Sequence, residues 1–350
     1  MIKHRTAAPE DNQQLINLTA AAGMTGEISL RIDRKPDFFK LLDIRGETKV
    51  FVALDGETIV GSICVSLQQV YVGGEIYPLQ YIGDFKVAEE YRSKGIGLQL
   101  CNNVADYVIS NNSDLAFLNV SKGNNRPFSF FKNRPNIPDF DNIGIFKIHQ
   151  FIGKKIKHIP ADYNIQKTEI TDEVVLFLNE HYSRYELGTF ITKEKLKDAQ
   201  VYKIQQNNII IAVMCLVDTM HLKQNVVTKI SWKMKALLKA MNFFYGFAGI
   251  SKMPTLNEPV RMMYIKYLAV NNAEQKLVKY LINYARDIVY RKSYSFVSMG
   301  LHEKDPLHSS FKGLLKITFK SVGMLLSIKN SRPLIEKVKK GIPFEDYSLV

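Results

Sequence analysis

Tyr81 to Cys101, YIGDFKVAEEYRSKGIGLQLC, reads as a strand, a tight glycine turn and the start of a helix. Tyr81, Ile82, Phe85 and Val87 are β-type residues, Ala88 to Tyr91 is a polar break, and Leu98, Leu100, Cys101, Val104, Ala105 and Val108 then recur at helical spacing. Between strand and helix stands Arg92-Ser93-Lys94-Gly95-Ile96-Gly97. Gly95 and Gly97 lack a Cβ, so the backbone can turn sharply and come close to a ligand, while the amides of the first helical turn have no partner inside the helix. Such a helix start binds anions, and the charges of Arg92 and Lys94 suit a pyrophosphate. A plain glycine helix entry with solvated basic residues would use the same residue types. The context favours the anion site: an apolar strand ending in Val87, a helix beginning at the second glycine, and Glu89-Glu90-Tyr91 ahead of the arginine.

Working outward, Val50 to Leu54 and Ile59 to Leu67 are apolar runs joined by Asp55-Gly56-Glu57, a hairpin signal. A further strand, Gln69 to Tyr77, turns at Gly73-Gly74 into the central strand. Upstream, Met1 to Ala7 is an edge strand, Pro9-Glu10-Asp11 opens a helix carrying Leu15, Ile16 and Leu18, and Arg31 to Leu42 is expected to be helical with Pro36 at its start. Downstream, Leu115 to Val120 is a buried strand with a polar exit from Ser121 to Asn125. Asn142 to Ile152 is expected to close the domain as its last strand, and Gly153 to Ala161 is a basic linker.

This order, with the glycine turn in its midst, resembles the GNAT (GCN5-related N-acetyltransferase) family, whose acyl-CoA signature is Gln/Arg-x-x-Gly-x-Gly/Ala between the fourth strand and the third helix. The resemblance implies that Arg92, Ser93, Lys94, Gly95, Ile96 and Gly97 hold the pyrophosphate of acyl-CoA, and that the backbone at Phe85 to Val87 bonds the thioester oxygen. It also implies that Asn124 bonds the pantetheine arm. Many members place a small residue three positions after that Asn and a proton-donating Tyr seven after it; here those positions hold Pro127 and Phe131. Phe cannot protonate a leaving thiolate, so another group, water, or a binding role without rapid turnover must account for the difference.

A family base commonly sits on the central strand. The position of the most frequent glutamate is Tyr81, a poor base at its ordinary pKa. Asp84 is the carboxylate within that strand, but simple alternation puts it on the opposite face from Tyr81 unless a bulge brings it round. Glu75 is a further candidate. Arg34, Asp37 and Phe38 fall where the family forms its acceptor wall, beside ordinary packing and surface roles.

From Tyr163 the chain repeats the same grammar: a short strand, a helix capped by Thr171-Asp172-Glu173, a hairpin around Gln206-Asn207-Asn208, a strand from Tyr264 to Val270, a helix from Glu274 to Tyr290, and closing strands between Ile317 and Ile328. The expectation is an α+β chain of two GNAT-like domains in tandem, 1–153 and 162–350, each a mixed, largely antiparallel sheet flanked by helices. The second turn, Asn271-Asn272-Ala273-Glu274-Gln275, has no glycine pair and no arginine, and Glu274 would repel an anion. The second domain is therefore expected to be degenerate as an acyl-CoA site and to extend the sheet across a pseudo-twofold interface.

The formal charge of +13 and pI of about 9.4 suit a phosphate-rich ligand or an anionic surface, without requiring nucleic acid. Cys64, Cys101 and Cys215 lie far apart among apolar residues, which fits buried thiols in a reducing compartment better than disulfides, and no metal-ligand spacing occurs. No apolar run is long enough for a transmembrane helix, so a cytoplasmic protein is expected. Lys229 to Tyr245 places Ile230, Met234, Leu237, Leu238, Met241, Phe244 and Tyr245 on one helical stripe, with Lys229, Lys233, Lys235 and Lys239 off it. That is either a core-packed helix with a solvated basic face or a contact for an anionic surface. The functional expectation is transfer of an acyl group, acetyl first, from acyl-CoA to an amine. Two alternatives remain: a Fem-type aminoacyltransferase using aminoacyl-tRNA, and a non-catalytic acyl-CoA-binding protein.

Overall fold

The computed structural model describes residues 1–23, 26–111, 113–123, 140–156, 163–328 and 331–350. The first half contains β1 (Ile2–Thr6), α1 (Asn12–Ala21), β2 (Ile28–Asp33), α2 (Lys40–Arg45), β3 (Glu47–Asp55), β4 (Thr58–Val72), β5 (Glu75–Val87), α3 (Ile96–Ser110), β6 (Leu115–Ser121) and β7 (Phe140–Ile152). The second contains β8 (Ile165–Thr168), α4 (Asp172–Tyr182), β9 (Gly188–Thr189), α5 (Lys193–Leu196), β10 (Ala199–Gln206), β11 (Ile209–Val217) and β12 (Gln224–Ile230). It continues with α6 (Trp232–Ala248), β13 (Met262–Val270), α7 (Gln275–Arg291), β14 (Phe296–His302), β15 (Lys316–Ser327) and α8 (Arg332–Lys340).

The hairpins form where turn chemistry places them. Gly56 takes a left-handed φ of 61° between β3 and β4, and Asn207 and Asn208 take φ of 50° and 65° between β10 and β11. Along α3, Leu100, Val104 and Val108 repeat every four residues and are buried with Ile96 and Cys101 against β4 to β6. Thr171 caps α4 through its hydroxyl, which accepts from the Val174 amide.

One sheet of 13 strands runs through the described residues, in the order β1-β3-β4-β5-β6-β15-β7-β14-β13-β11-β10-β8, with β9 added to β4. Its centre differs from the expected closure of the first half. β7 pairs antiparallel with β14 and β15, and β15 with β6 and β7, so the last strand of each half lies among strands of the other. The exchange makes one continuous sheet and one seam. Two shorter expectations also change. Arg31 to Leu42 is not one helix: β2 ends at Asp33 and α2 begins only at Lys40, with Pro36 in the connection. Likewise Lys229 and Ile230 belong to β12, which pairs with β2, and α6 begins at Trp232 after a Ser231 cap.

Candidate functional site

β5 and β6 run parallel and pair from Leu79↔Leu115 to Ile82↔Leu118. Beyond those residues the strands part. Gly83, Lys86 and Val87 stay with β4, while Asn119 to Ser121 stay with β15. A wedge opens between them, with the backbone of Phe85 and Val87 along one side. At its end, Val87 leads through a 3-10 turn, Glu89–Tyr91, into the glycine turn.

Arg92, Ser93, Lys94 and Gly95 are exposed, with Ser93 and Gly95 left-handed at φ of 63° and 80°. Gly95 is the N-cap of α3, and no side chain caps that helix among the described residues. Its first turn is therefore open to an external acceptor, where the helix dipole favours an anion. A Cβ on Gly95 would meet nothing within 4 Å, so the requirement for glycine there comes from φ and from room for a ligand. Lys94 lies over the Tyr91 ring at 4.6 Å, and Tyr91 donates to Asp55 at 2.8 Å, which fixes the base of the turn. Asn124 and Phe131 lie outside the described residues.

Midway along β5 the register with β4 slips, because Cys64 faces Gly83 while Ser62 faces Lys86. Asp84 sits in this bulge with φ of 50°. Its carboxylate accepts from Arg34 at 2.7 Å and from Arg45 at 3.2 Å, and the Arg45 guanidinium also lies 5.0 Å from the centre of the Tyr81 ring. The bulge thus brings Asp84 and Tyr81 to one cluster, against simple alternation. Burial opposes ionisation of Asp84, yet the charges of Arg34, Arg45 and Lys86 prevail and hold it well below the usual carboxylate range. Burial drives Tyr81 the other way, so it stays a neutral phenol. Neither group is suited to take a proton from an ammonium. Glu75, at the start of β5, is exposed. Of the three residues on the expected acceptor wall, Arg34 reaches this cluster; Phe38 is core, and Asp37 caps the Phe39 amide.

Where the wedge begins, a cleft opens at the seam of the two halves. Tyr81 and Phe117 line it from the first half, Lys195, Lys266 and Tyr267 from the second, and Glu345 and Asp346 from the segment after α8. Arg45 ties that segment in place by donating to the Leu349 carbonyl. Lys266 donates to the Lys195 carbonyl at 2.9 Å and stands 3.7 Å from Asp346. Burial, helped by the charge of Lys266, lowers Lys195 to about 8. Burial, with the neighbouring charge of Asp346, raises Glu345 well above the ordinary carboxylate value. A carboxyl raised in this way beside the Lys195 and Lys266 amines marks the cleft as a candidate place for proton transfer. Sequence reasoning singled out none of Arg45, Lys195, Lys266, Glu345 or Asp346. No motif marks them; only the exchange of strands and the return of the last segment brings them together.

Comparison with known proteins finds a likeness in sequence over the first half and a likeness in fold over the whole chain. Residues 3–124 match the family described as an acetyltransferase (GNAT) domain. Three solved structures cover nearly the whole chain. A GCN5-related N-acetyltransferase from Anabaena variabilis aligns with TM-score 0.55 and 11% identity over 94% of this chain and 73% of its own. Saccharomyces cerevisiae N-myristoyltransferase, solved with bound myristoyl-CoA, aligns with TM-score 0.60 and 11% identity over 93% and 82%. A probable N-acyltransferase from Enterococcus faecalis aligns with TM-score 0.54 and 10% identity over 93% and 73%. At these identities the structural likeness concerns the fold. A comparison with curated protein sequences gives no match. The first half of the chain thus matches a GNAT acetyltransferase domain, and the mixed α/β fold of the whole resembles those of longer acyltransferases. No helix among the described residues is long and apolar enough to cross a membrane.

Proposed function

We propose that the chain transfers an acyl group, acetyl first, from CoA to an amine that enters the seam cleft. The observation that carries this reading is the junction of two features: the β5/β6 wedge with the uncapped α3 start at its outer end, and the charged cleft at its inner end. The pyrophosphate would lie against Arg92 to Gly97, and the thioester oxygen against the Phe85 to Val87 backbone. The amine nitrogen attacks the thioester carbon, the C–N bond forms, the C–S bond breaks, and the thiolate leaves as CoA. Glu345 would take the proton released by the amine. Asp84, locked between two guanidiniums, would then hold Arg34 and Arg45 in place rather than act as the base, and Tyr81, a neutral hydroxyl, would donate a hydrogen bond to the departing thiolate, which takes its proton from water.

The cleft pairs acids with cations, which suits an amine that also bears an anionic group: the ammonium at Glu345 and Asp346, the anion at Lys195 and Lys266. The test is acetyl-CoA turnover against amino acids, short peptides and plain alkylamines, read as free CoA. All three cysteines are buried, so a thiol reagent reads the product with little background. Turnover should favour the zwitterionic amines. Glu345→Gln should lower kcat by on the order of a hundredfold or more with CoA binding unchanged, and should remove the rise of rate with pH that deprotonation of a base gives. Turnover with aminoacyl-tRNA but not with acyl-CoA would refute the donor assignment, and an unchanged pH profile in Glu345→Gln would refute the base.

A further inference from the structure

α6 turns the wrong side to water. Leu238 is its buried residue, Met234 and Met241 pack beside the same core, and Asn242 exchanges two hydrogen bonds with the Met253 backbone at 3.0 and 2.7 Å. Those contacts fix the helix's rotation. At 100° per residue, Trp232, Ala236, Phe243 and Phe247 then fall opposite Leu238. Trp232, Phe243 and Phe247 are 77%, 81% and 98% exposed, with Leu237 and Phe244 exposed at the edge of the same face. An exposed helix is ordinarily polar on its outer side, and an apolar patch of this kind marks an interaction surface. The core-packing reading of this segment accounts for Leu238 and leaves the aromatic face unexplained.

Charge identifies the occupant. Exposed Lys233, Lys235 and Lys239 flank the rings, and no acidic residue occurs between Lys223 and Asn257. Across the fold, Glu27 reaches the start of the helix and accepts from the Ser231 hydroxyl at its cap. A second copy docking by a twofold through this face would set lysines against lysines. An anionic bilayer surface satisfies both components at once, with the rings in the headgroup and acyl boundary and the ammonium groups among the phosphates.

We propose that α6 docks the protein on anionic phospholipid. β12 links this helix to the Asp84 cluster. This strand pairs Gln224 with Asp33 at one end and Ile230 with Ile28 at the other, so it joins Lys223 and Arg34 to the first turn of α6. Seven residues of strand span roughly 20 Å, which sets the Asp84 cluster about that far along the ladder from the docking helix. The docking does not depend on the acyltransferase reading.

The test uses the whole chain and large vesicles of phosphatidylcholine, with or without a large fraction of phosphatidylglycerol. Trp232 is the only tryptophan, so its emission reports this face alone. With anionic vesicles its emission should shift to the blue and the protein should float with the lipid, about tenfold or more beyond what neutral vesicles give. Phe243→Ser with Phe247→Ser should abolish flotation without moving Tm, because both side chains are solvent-exposed. Replacing Lys233, Lys235 and Lys239 by Gln should cost about tenfold or more on anionic vesicles only. Absence of flotation and of a spectral shift would overturn the proposal, as would equal binding to neutral vesicles. A dimer in solution that Phe243→Ser dissociates would instead assign the face to a second copy.

Discussion

The two strand-to-helix turns of the chain follow one plan and end differently. β5 runs through a 3-10 turn at Glu89–Tyr91 to a cap at Gly95, and β13 through a 3-10 turn at Asn271–Ala273 to a cap at Glu274. Both contain left-handed residues, Ser93 and Gly95 in the first and Asn272 and Ala273 in the second. Both follow a strand whose parallel neighbour parts from it: β13 pairs with β14 only from Met262 to Tyr264. Yet the second helix start holds a carboxylate, Glu274, which accepts from the Tyr163 hydroxyl at 2.6 Å, and its strands part over a filled core of Met299, Leu301, Leu307 and Phe311. A left-handed turn at a parting of strands is thus a scaffold. The glycine, the cations and the open helix start are what would make the first turn an anion site.

The comparison extends into the strands. Val87 faces Gly61 and Val270 faces Ala212, and three residues on, Cys64 and Cys215 mark the slip in each register. Each central strand therefore bulges at the corresponding place, and each bulge presents a charged side chain toward the seam: Asp84 from β5 and Lys266 from β13. Asp84 meets two arginines from its own half. Lys266 meets the Lys195 carbonyl and Asp346.

The largest effect should come from breaking the first of these bulges. Asp84→Asn would leave Arg34 and Arg45 buried without their anion, and removing one member of a buried pair costs about 3–5 kcal/mol. Urea unfolding at neutral pH should show that loss. Because the carboxylate is held low in the folded chain, its contribution is complete above the unfolded value of about 4 and fades as pH falls below it through the folded value. The wild-type and Asn midpoints should therefore converge only under acid. A gap of less than about 1 kcal/mol at pH 7 would mean that water already satisfies the cluster.

The turns come next. Gly95→Asp would put bulk, negative charge and a strained φ at the α3 start, and should weaken CoA by about a hundredfold or more. Because nothing crowds that position, the folding cost should be confined to the strained φ, about 1–3 kcal/mol. Ala273→Asp at the second turn should leave CoA binding untouched, with one site per chain by titration calorimetry. Two sites, or equal losses from the two variants, would erase the distinction between the halves.

Much of this contrast was legible in the sequence, because it rests on local chemistry. Gly95 and Gly97 against Ala273 and Glu274 is a difference of neighbouring residue types, and the hairpins at Asp55-Gly56 and Asn207-Asn208 are written in two residues each. The cleft was not legible. Glu345 stands next to Asp346 in an ordinary acidic pair, Lys195 sits in a charged run on α5, and nothing near them signals that they meet Tyr81. Their meeting depends on β7 and β15 exchanging places, and an alternating strand pattern states which face is buried without saying which strand lies alongside. The Asp84 bulge was legible as one of two outcomes and no further, for a related reason: a period of two carries a face, and one extra residue reverses it.

The smallest expected effect lies in the second bulge, and it tests whether that charge tunes the cleft or merely fills it. Lys195 is lowered to about 8 first by burial and then by Lys266, while Asp346 pulls it back up. Lys266→Met keeps the length of the side chain and removes the cation, and it frees Asp346 to act on Lys195. Both consequences push Lys195 upward, so at pH 8 a smaller fraction of it is the neutral amine. Its labelling by an amine-reactive reagent, measured by peptide mass spectrometry, should then fall by about twofold to fivefold. The exposed Lys193 is an internal control whose labelling should not change. Asp84→Asn should leave Lys195 labelling unchanged at a pH where the variant remains folded, because burial, Lys266 and Asp346, and not Asp84, set Lys195. Equal labelling in the wild type and Lys266→Met would show that burial alone sets Lys195 and that the second bulge carries no electrostatic role at the seam.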